Sequence, residues 1–166
     1  MKPGTLSGHD LRAALLALVP DETRVTTSES VLDQHAEDFS FHRRHRPDAV
    51  VYPTSVTEVA SVLSFASERR VPLVPFGAGT SLEGHVVPVN GGISLDLTRM
   101  NRILALSTGG LTARVEAGVT RLQLNRSAGE HGLFFPVDPG ADATLGGMAA
   151  TNASGTTTVR YWKMRA

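Results

Sequence analysis

Apolar residues recur along this chain with two different periods. Leu11, Ala14, Leu15 and Leu18 stand at i, i+3, i+4 and i+7, and Pro20 closes the run, which predicts a helix starting near Ser7-Gly8-His9-Asp10. A second, short helix is expected between Ser28 and Glu37, with Val31 and Leu32 inward. Ala49-Val50-Val51-Tyr52 is a continuous apolar run, the mark of a strand covered on both faces. Ser55-x-x-Glu58 then forms a capping box, in which each side chain can satisfy an N–H at a helix start. Val56, Val59, Ala60, Leu63 and Ala66 fall on one face of the helix that follows, and Arg69-Arg70 suit its C-terminal dipole. Val71-Pro72-Leu73-Val74 reads as a buried strand, so strand, helix and strand predict a right-handed βαβ unit.

Past the turn at Asn90-Gly91-Gly92 the period shortens to two. Ile93, Leu95 and Leu97 alternate with Ser94 and Asp96, as in a strand buried on one face. Ile103 to Leu106 and Leu111 to Ala117 flank Ser107-Thr108-Gly109-Gly110 and predict an antiparallel hairpin. Its second strand would turn Leu111, Ala113, Val115 and Ala117 inward, and Thr112, Arg114 and Glu116 outward. Thr120-x-x-Gln123 caps a further helix, with Leu122 and Leu124 available for packing and His131-Gly132 as its end. A parallel α/β part is thus followed by an antiparallel α+β part, which implies two subdomains.

Three segments interrupt this pattern with small residues. Pro75-Phe76-Gly77-Ala78-Gly79-Thr80-Ser81 follows the second strand of the βαβ unit, at the end where ligands of α/β sheets gather. Its glycines permit φ > 0 and close approach, and its amides and hydroxyls suit a phosphate or pyrophosphate; a plain turn explains the same residues. The dinucleotide fingerprint fails, because Gly84 comes too late after Gly77 and Gly79 and no long helix follows. The P-loop fails as well: His85-Val86 stand where lysine and a hydroxyl are required, and the only lysines are Lys2 and Lys163. The second segment runs Asp138-Pro139-Gly140-Ala141-Asp142-Ala143-Thr144-Leu145-Gly146-Gly147, with Met148 to Thr151 as a short helical turn after it. The third is Asn152-Ala153-Ser154-Gly155.

Composition narrows the function. The length suits one domain or part of a larger one, and a formal net charge of +0 gives no electrostatic case for nucleic acid. There is no apolar run long enough for a membrane span and no signal-peptide core, so a cytoplasmic location is expected. With 0 cysteines, disulfides, iron–sulfur ligation and thiol chemistry are absent. His35, Asp38, His42 and His45 cluster in sequence, but among Glu37, Arg43, Arg44 and Arg46 they read as a solvated basic surface and not as a metal site.

Taken together, RPDAVVYPTSVTEVASVLSFA (Arg46 to Ala66), PFGAGTSLEGH (Pro75 to His85), LDLTRMNRIL (Leu95 to Leu104) and FFPVDPGADATLGGMAATNASG (Phe134 to Gly155) resemble the flavin domain of the FAD-linked oxidase superfamily, the PCMH-type flavoproteins. The resemblance is strongest to D-lactate dehydrogenases and the FAD subunit of glycolate oxidase. It implies an α/β (α+β) fold of two α/β subdomains with FAD extended between them, residues 43–166 forming that domain and residues 1–42 a helical lead-in. Carried over, Pro75, Phe76, Gly77, Ala78, Gly79, Thr80 and Ser81 would surround the pyrophosphate. Asp138, Pro139, Gly140, Ala143, Thr144, Gly146 and Gly147 would line the flavin and ribityl side, and Asn152, Ala153, Ser154 and Gly155 would complete that wall. Some relatives bind flavin covalently through a histidine in the first loop or a later cysteine. Neither exists in this chain, so non-covalent FAD is expected, with His85 structural.

The resemblance further implies oxidation of a small 2-hydroxy acid, of D-lactate or glycolate type, by hydride transfer to FAD, with an electron-acceptor partner. Relatives continue past the position of Ala166 into the rest of the flavin domain and a cap domain that orients substrate. The expectation is therefore an incomplete, truncated domain with no assigned catalytic residue, inactive alone and marginally stable because a sheet edge and an apolar face stay uncovered. The competing expectation is a flavin-binding or interaction module with no activity of its own. Trp162-Lys163 after Arg160-Tyr161 is bulkier than the family's usual turn there.

Overall fold

Leu11, Leu15 and Val19 lie a turn apart and are fully buried, and this stripe packs α1 (Gly8–Leu18) onto the sheet of the N-terminal half. The computed structural model describes residues 8–164. The chain divides into two units, Met1–Arg99 and Met100–Ala166.

The first unit continues through β1 (Val25–Thr26), α2 (Glu29–Gln34), β2 (Ala49–Val51), α3 (Val56–Arg69), β3 (Leu73–Phe76) and β4 (Ile93–Asp96). The sheet order is β1-β2-β4-β3, with β1 antiparallel to β2 and the other pairs parallel. β4 therefore lies between the two strands that α3 connects, and β2 and β3 are not neighbours. This placement corrects two expectations. Ile93, Ser94, Leu95 and Asp96 are all buried, because β4 is flanked on both sides, so the polar half of its alternation faces protein instead of water. β3 is an edge strand, only half-buried, and starts two residues later than expected, taking in Pro75 and Phe76. An edge is where a sheet tolerates proline, which cannot donate to a ladder.

α3 turns Val59, Val62, Phe65 and Ala66 toward the core, while Val56 is 75% exposed and Leu63 46%. The expected stripe is thus displaced by about one residue. Apolar residues at 56, 59, 60, 62, 63, 65 and 66 satisfy the helical period in more than one phase, and packing selects among them. The cap also differs. Ser55 accepts from the Glu58 N–H as expected, but the Glu58 carboxylate accepts from the Thr54 N–H at 2.8 Å and from the Arg24 guanidinium at 2.7 and 2.9 Å. In α2 Val31 and Leu32 are only half-buried; the buried residues come just after its end, at His35 and Ala36. Gly92 links β4 to the rest: at φ +83° it accepts from the Asp48 and Ala49 N–H groups, and an added Cβ would strike the Pro72 carbonyl.

The second unit holds the hairpin β5 (Ile103–Ser107) and β6 (Thr112–Val115), then α4 (Arg121–Gly129), α5 (Leu145–Thr151) and α6 (Thr158–Tyr161). The hairpin is antiparallel as expected, with a register irregularity between Ile103 and Ala105. Its inward set is not the expected one. Leu111 sits at φ +49° in the turn and is 73% exposed, Ala113 is exposed, and Glu116 is buried. Glu116 tolerates burial because Arg102 donates its N–H and two guanidinium bonds to it, which hold its carboxyl below the ordinary range. Thr120 caps α4 through the Gln123 N–H, but the Gln123 amide bonds Asn101 O instead of completing the box. The helix ends at Gly129, ahead of His131-Gly132, and buries Leu124 and Ala128 while Leu122 stays half-exposed. Val119, Leu124, Val137, Leu145 and Met148 form this unit's core.

Candidate functional site

The strand β3 ends at Phe76, and the chain then turns through Gly77-Ala78-Gly79-Thr80-Ser81, with Gly79 at φ +67°. Among the described residues no protein acceptor takes the N–H of Ala78, Gly79, Thr80 or Ser81. The loop is nevertheless anchored. Phe39 N–H donates to Ser81 O at 3.1 Å, and Ser81 Oγ lies 2.8 Å from His85 Nδ1. Gly84, at φ +76°, leaves room for the His42 ring where a Cβ would stand. Beside these, burial pushes the Asp38 carboxyl up, but hydrogen bonds from Ser40, the Ser81 side chain and the Gly84 N–H together pull it further down, below the usual carboxylate range. His85 meets the loop at Ser81.

The histidine stretch is arranged differently from expectation. His35 is not on a solvated surface: it is 3% exposed, with Nε2 2.9 Å from Asp96 Oδ2 and Nδ1 2.8 Å from Val31 O. Its ring centroid lies 4.3 Å from that of Phe76. His42 and His45 are exposed. His35 stands four residues after Val31, on the helical face assigned inward, which was the signal available for its burial; nothing in the sequence paired it with Asp96, 61 residues away.

In the second unit, Thr144 is buried and caps α5 through the Gly147 N–H, so that helix begins at Leu145 and not near Met148. The glycine amides of the second and third segments are already engaged: Gly140 by Asp138 Oδ1, Gly146 by Ala117 O, Gly147 by Thr144 Oγ1 and Gly155 by Thr158 Oγ1. Gly146 and Gly155 are also close-packing residues. A Cβ at Gly146 would lie 2.7 Å from that of Ala117, and one at Gly155 would strike the Asp138 carbonyl. Asn152 takes a left-handed conformation at φ +52°, which lets α5 stop there. Arg121, missed in the sequence, reaches within 3.5 Å of Asp138 Oδ1. A partly open apolar pocket of about 800 Å³ is lined within this unit by the hairpin, α4, Phe134 to Pro136 and α5.

A glycine loop with unengaged amides at the C-terminal end of a strand in a parallel α/β unit is an arrangement suited to a phosphate-bearing ligand. The comparisons make this specific. The chain belongs to the FAD-linked oxidase superfamily with a PCMH-type fold, a family of flavin-dependent oxidoreductases: the family model described as "FAD binding domain" matches residues 47–166. It is 46% identical over 147 residues to "Probable D-lactate dehydrogenase, mitochondrial" of Danio rerio, covering 89% of this chain and 30% of the relative. It is 40% identical over 117 residues to "Glycolate oxidase subunit GlcD" of Bacillus subtilis (strain 168), covering 70% of this chain and 25% of that protein. The chain thus spans under a third of the length of these relatives. In structure it matches alkyldihydroxyacetonephosphate synthase at TM-score 0.85 and 24% identity, over 98% of this chain and 32% of that one, a likeness of fold. No helix among the described residues is long and apolar enough to cross a membrane.

Proposed function

We propose that this chain binds FAD non-covalently and supplies the flavin site of an enzyme that oxidises a small 2-hydroxy acid of D-lactate or glycolate type. The observation that carries the reading is the run of unengaged amides from Ala78 to Ser81 after β3, in a chain whose family is defined by FAD binding. A diphosphate fits there because backbone N–H groups hold anions without a lysine, and no loop side chain is larger than threonine between Gly77 and Ser81. Pro75 and Phe76 would set the loop's origin at the strand end. Asp138, Pro139, Gly140, Ala143, Thr144, Gly146 and Gly147, with Asn152, Ala153, Ser154 and Gly155, would present a wall of small residues to the flavin and ribityl part. Their glycine amides are used internally, so this wall contributes shape more than donors. When bound, FAD would supply the redox chemistry, as hydride acceptor for the α-carbon of the 2-hydroxy acid, with an electron-acceptor partner to reoxidise it.

The loop's own chemistry supports non-covalent attachment: it offers no histidine or cysteine side chain between Gly77 and Ser81. Residues 43–166 form the flavin-binding domain, and residues 1–42 act as a lead-in that shares its core through Leu11, Leu15 and Val25. We place its work in the cytoplasm, an inference that subcellular fractionation tests, since the name of the Danio rerio relative assigns that protein to mitochondria. The primary experiment titrates the purified chain with FAD, following quenching of flavin fluorescence. Saturable binding of one FAD per chain, released in full by acid precipitation, is the expected result. A chain that acquires no flavin sinks the proposal, and flavin retained in the acid pellet sinks its non-covalent part. Reduction of the bound flavin by D-lactate or glycolate under anaerobic conditions tests the substrate class.

A further inference from the structure

Both nitrogens of the buried His35 ring face acceptors. Nδ1 lies 2.8 Å from the Val31 carbonyl, which can only accept, and Nε2 lies 2.9 Å from Asp96 Oδ2. The other Asp96 oxygen accepts from the Thr98 N–H at 2.8 Å and its hydroxyl at 2.6 Å. Each ring nitrogen thus has one partner and each Asp96 oxygen at least one, in a site only a few per cent exposed, at 3% for His35 and 4% for Asp96.

The ring also supports the glycine loop. It rests 4.3 Å from Phe76, and Phe76 Cζ lies 2.9 Å from where a Cβ on Gly79 would stand. His35, Phe76 and Gly79 therefore form a stack that runs from the end of α2 to the turn of the loop. We propose that His35 and Asp96 are positioning residues for the cofactor loop: the buried, hydrogen-bonded pair holds the Phe76 ring, and Phe76 holds the turn at Gly79 in the form that presents the amides of Ala78 to Ser81. This proposal rests on the reading that the loop receives the FAD diphosphate.

Other groups surround the pair and the loop. The Tyr52 ring meets His35 edge-on at 6.0 Å, and Arg99 lies over Tyr52 at 4.8 Å. His85 and Asp38 both reach the loop at the Ser81 side chain. Substitutions at Asp96 separate the pair from these. An asparagine keeps an oxygen that accepts from Thr98 and a group that bonds Nε2, an alanine keeps neither, and His85 and Asp38 are untouched in both.

The experiment uses the full chain as wild type, H35A, D96A and D96N. FAD affinity is read by flavin fluorescence, and the Gly77 and Gly79 amide signals of the cofactor-free chain are read by NMR. H35A and D96A should each bind FAD about tenfold more weakly or worse, with both glycine signals moving. D96N, the conservative variant that keeps a partner for Nε2 and for Thr98, should restore the affinity to within about twofold of wild type, with the glycine signals still. A folded H35A or D96A chain that binds like wild type with unmoved glycine signals overturns the proposal. So does a folded D96N chain as weak as D96A. If no form takes up FAD but the glycine signals behave as described, the FAD reading fails and the positioning role stands.

Discussion

Glu58 is the residue whose local and distant partners differ most from its sequence signature. It reads as half of a capping box, yet Arg24, 34 residues earlier, supplies its strongest bonds. The Arg24 guanidinium holds the Glu58 carboxyl below its ordinary range, against the opposing effect of burial. A carboxylate with a depressed folded pKa contributes stability above its unfolded value, about 4.3, and loses it as pH falls through the folded value. Glu58→Gln should therefore cost about 1–3 kcal/mol at neutral pH and flatten the acid side of the stability curve. Equal differences between variant and wild type at about pH 3 and about pH 7, measured by urea unfolding, would refute this. A second residue-scale test uses glycine. Gly92→Ala meets both a positive φ and the Pro72 carbonyl and should cost about 2 kcal/mol or more, whereas Gly109→Ala, with open space around it, should stay within about 0.5 kcal/mol. Comparable thermal midpoints for the two would show that the β3–β4 approach is not tight.

Among the elements, β3 and its loop carry the proposed diphosphate site. An edge position leaves β3 half-buried, and its two C-terminal residues, Pro75 and Phe76, launch the loop. Gly79→Val would force a branched residue into a left-handed turn with its Cβ 2.9 Å from the Phe76 ring. FAD affinity should fall by about tenfold or more while helix and sheet signals in circular dichroism stay as in wild type. Unchanged flavin uptake would remove the loop from the site. α5 shows the opposite use of glycine. Gly146 packs against Ala117, so that position serves helix approach as well as any ligand.

At the scale of the molecule the two units differ in how their sheets are protected. β4 is flanked by β2 and β3 and fully buried, whereas the second unit's sheet is one hairpin with an exposed first turn at Leu111. Two-stranded sheets are marginal without a covering layer. Hydrogen exchange should therefore find the β5–β6 amides opening well before those of β2 and β4. Equal protection of Val115 and Val50 would refute it. The apolar pocket beside the hairpin and the exposure of Phe134, Leu111 and Trp162 belong to the same weakness.

The existence and order of α1, α3, β2, the hairpin and the loop could be read from period and punctuation, because those depend on neighbours a few residues apart. The family could be read from ordered motifs, since Pro75 to His85 and Phe134 to Gly155 are local strings. Strand order, the phase of α3 and the burial of His35, Asp96 and Glu116 could not. Each depends on partners brought together from far along the chain: β4 inserted between β2 and β3, Asp96 meeting His35, Arg102 meeting Glu116. A polar residue looks the same in sequence whether water or a buried partner satisfies it, and only packing distinguishes the two.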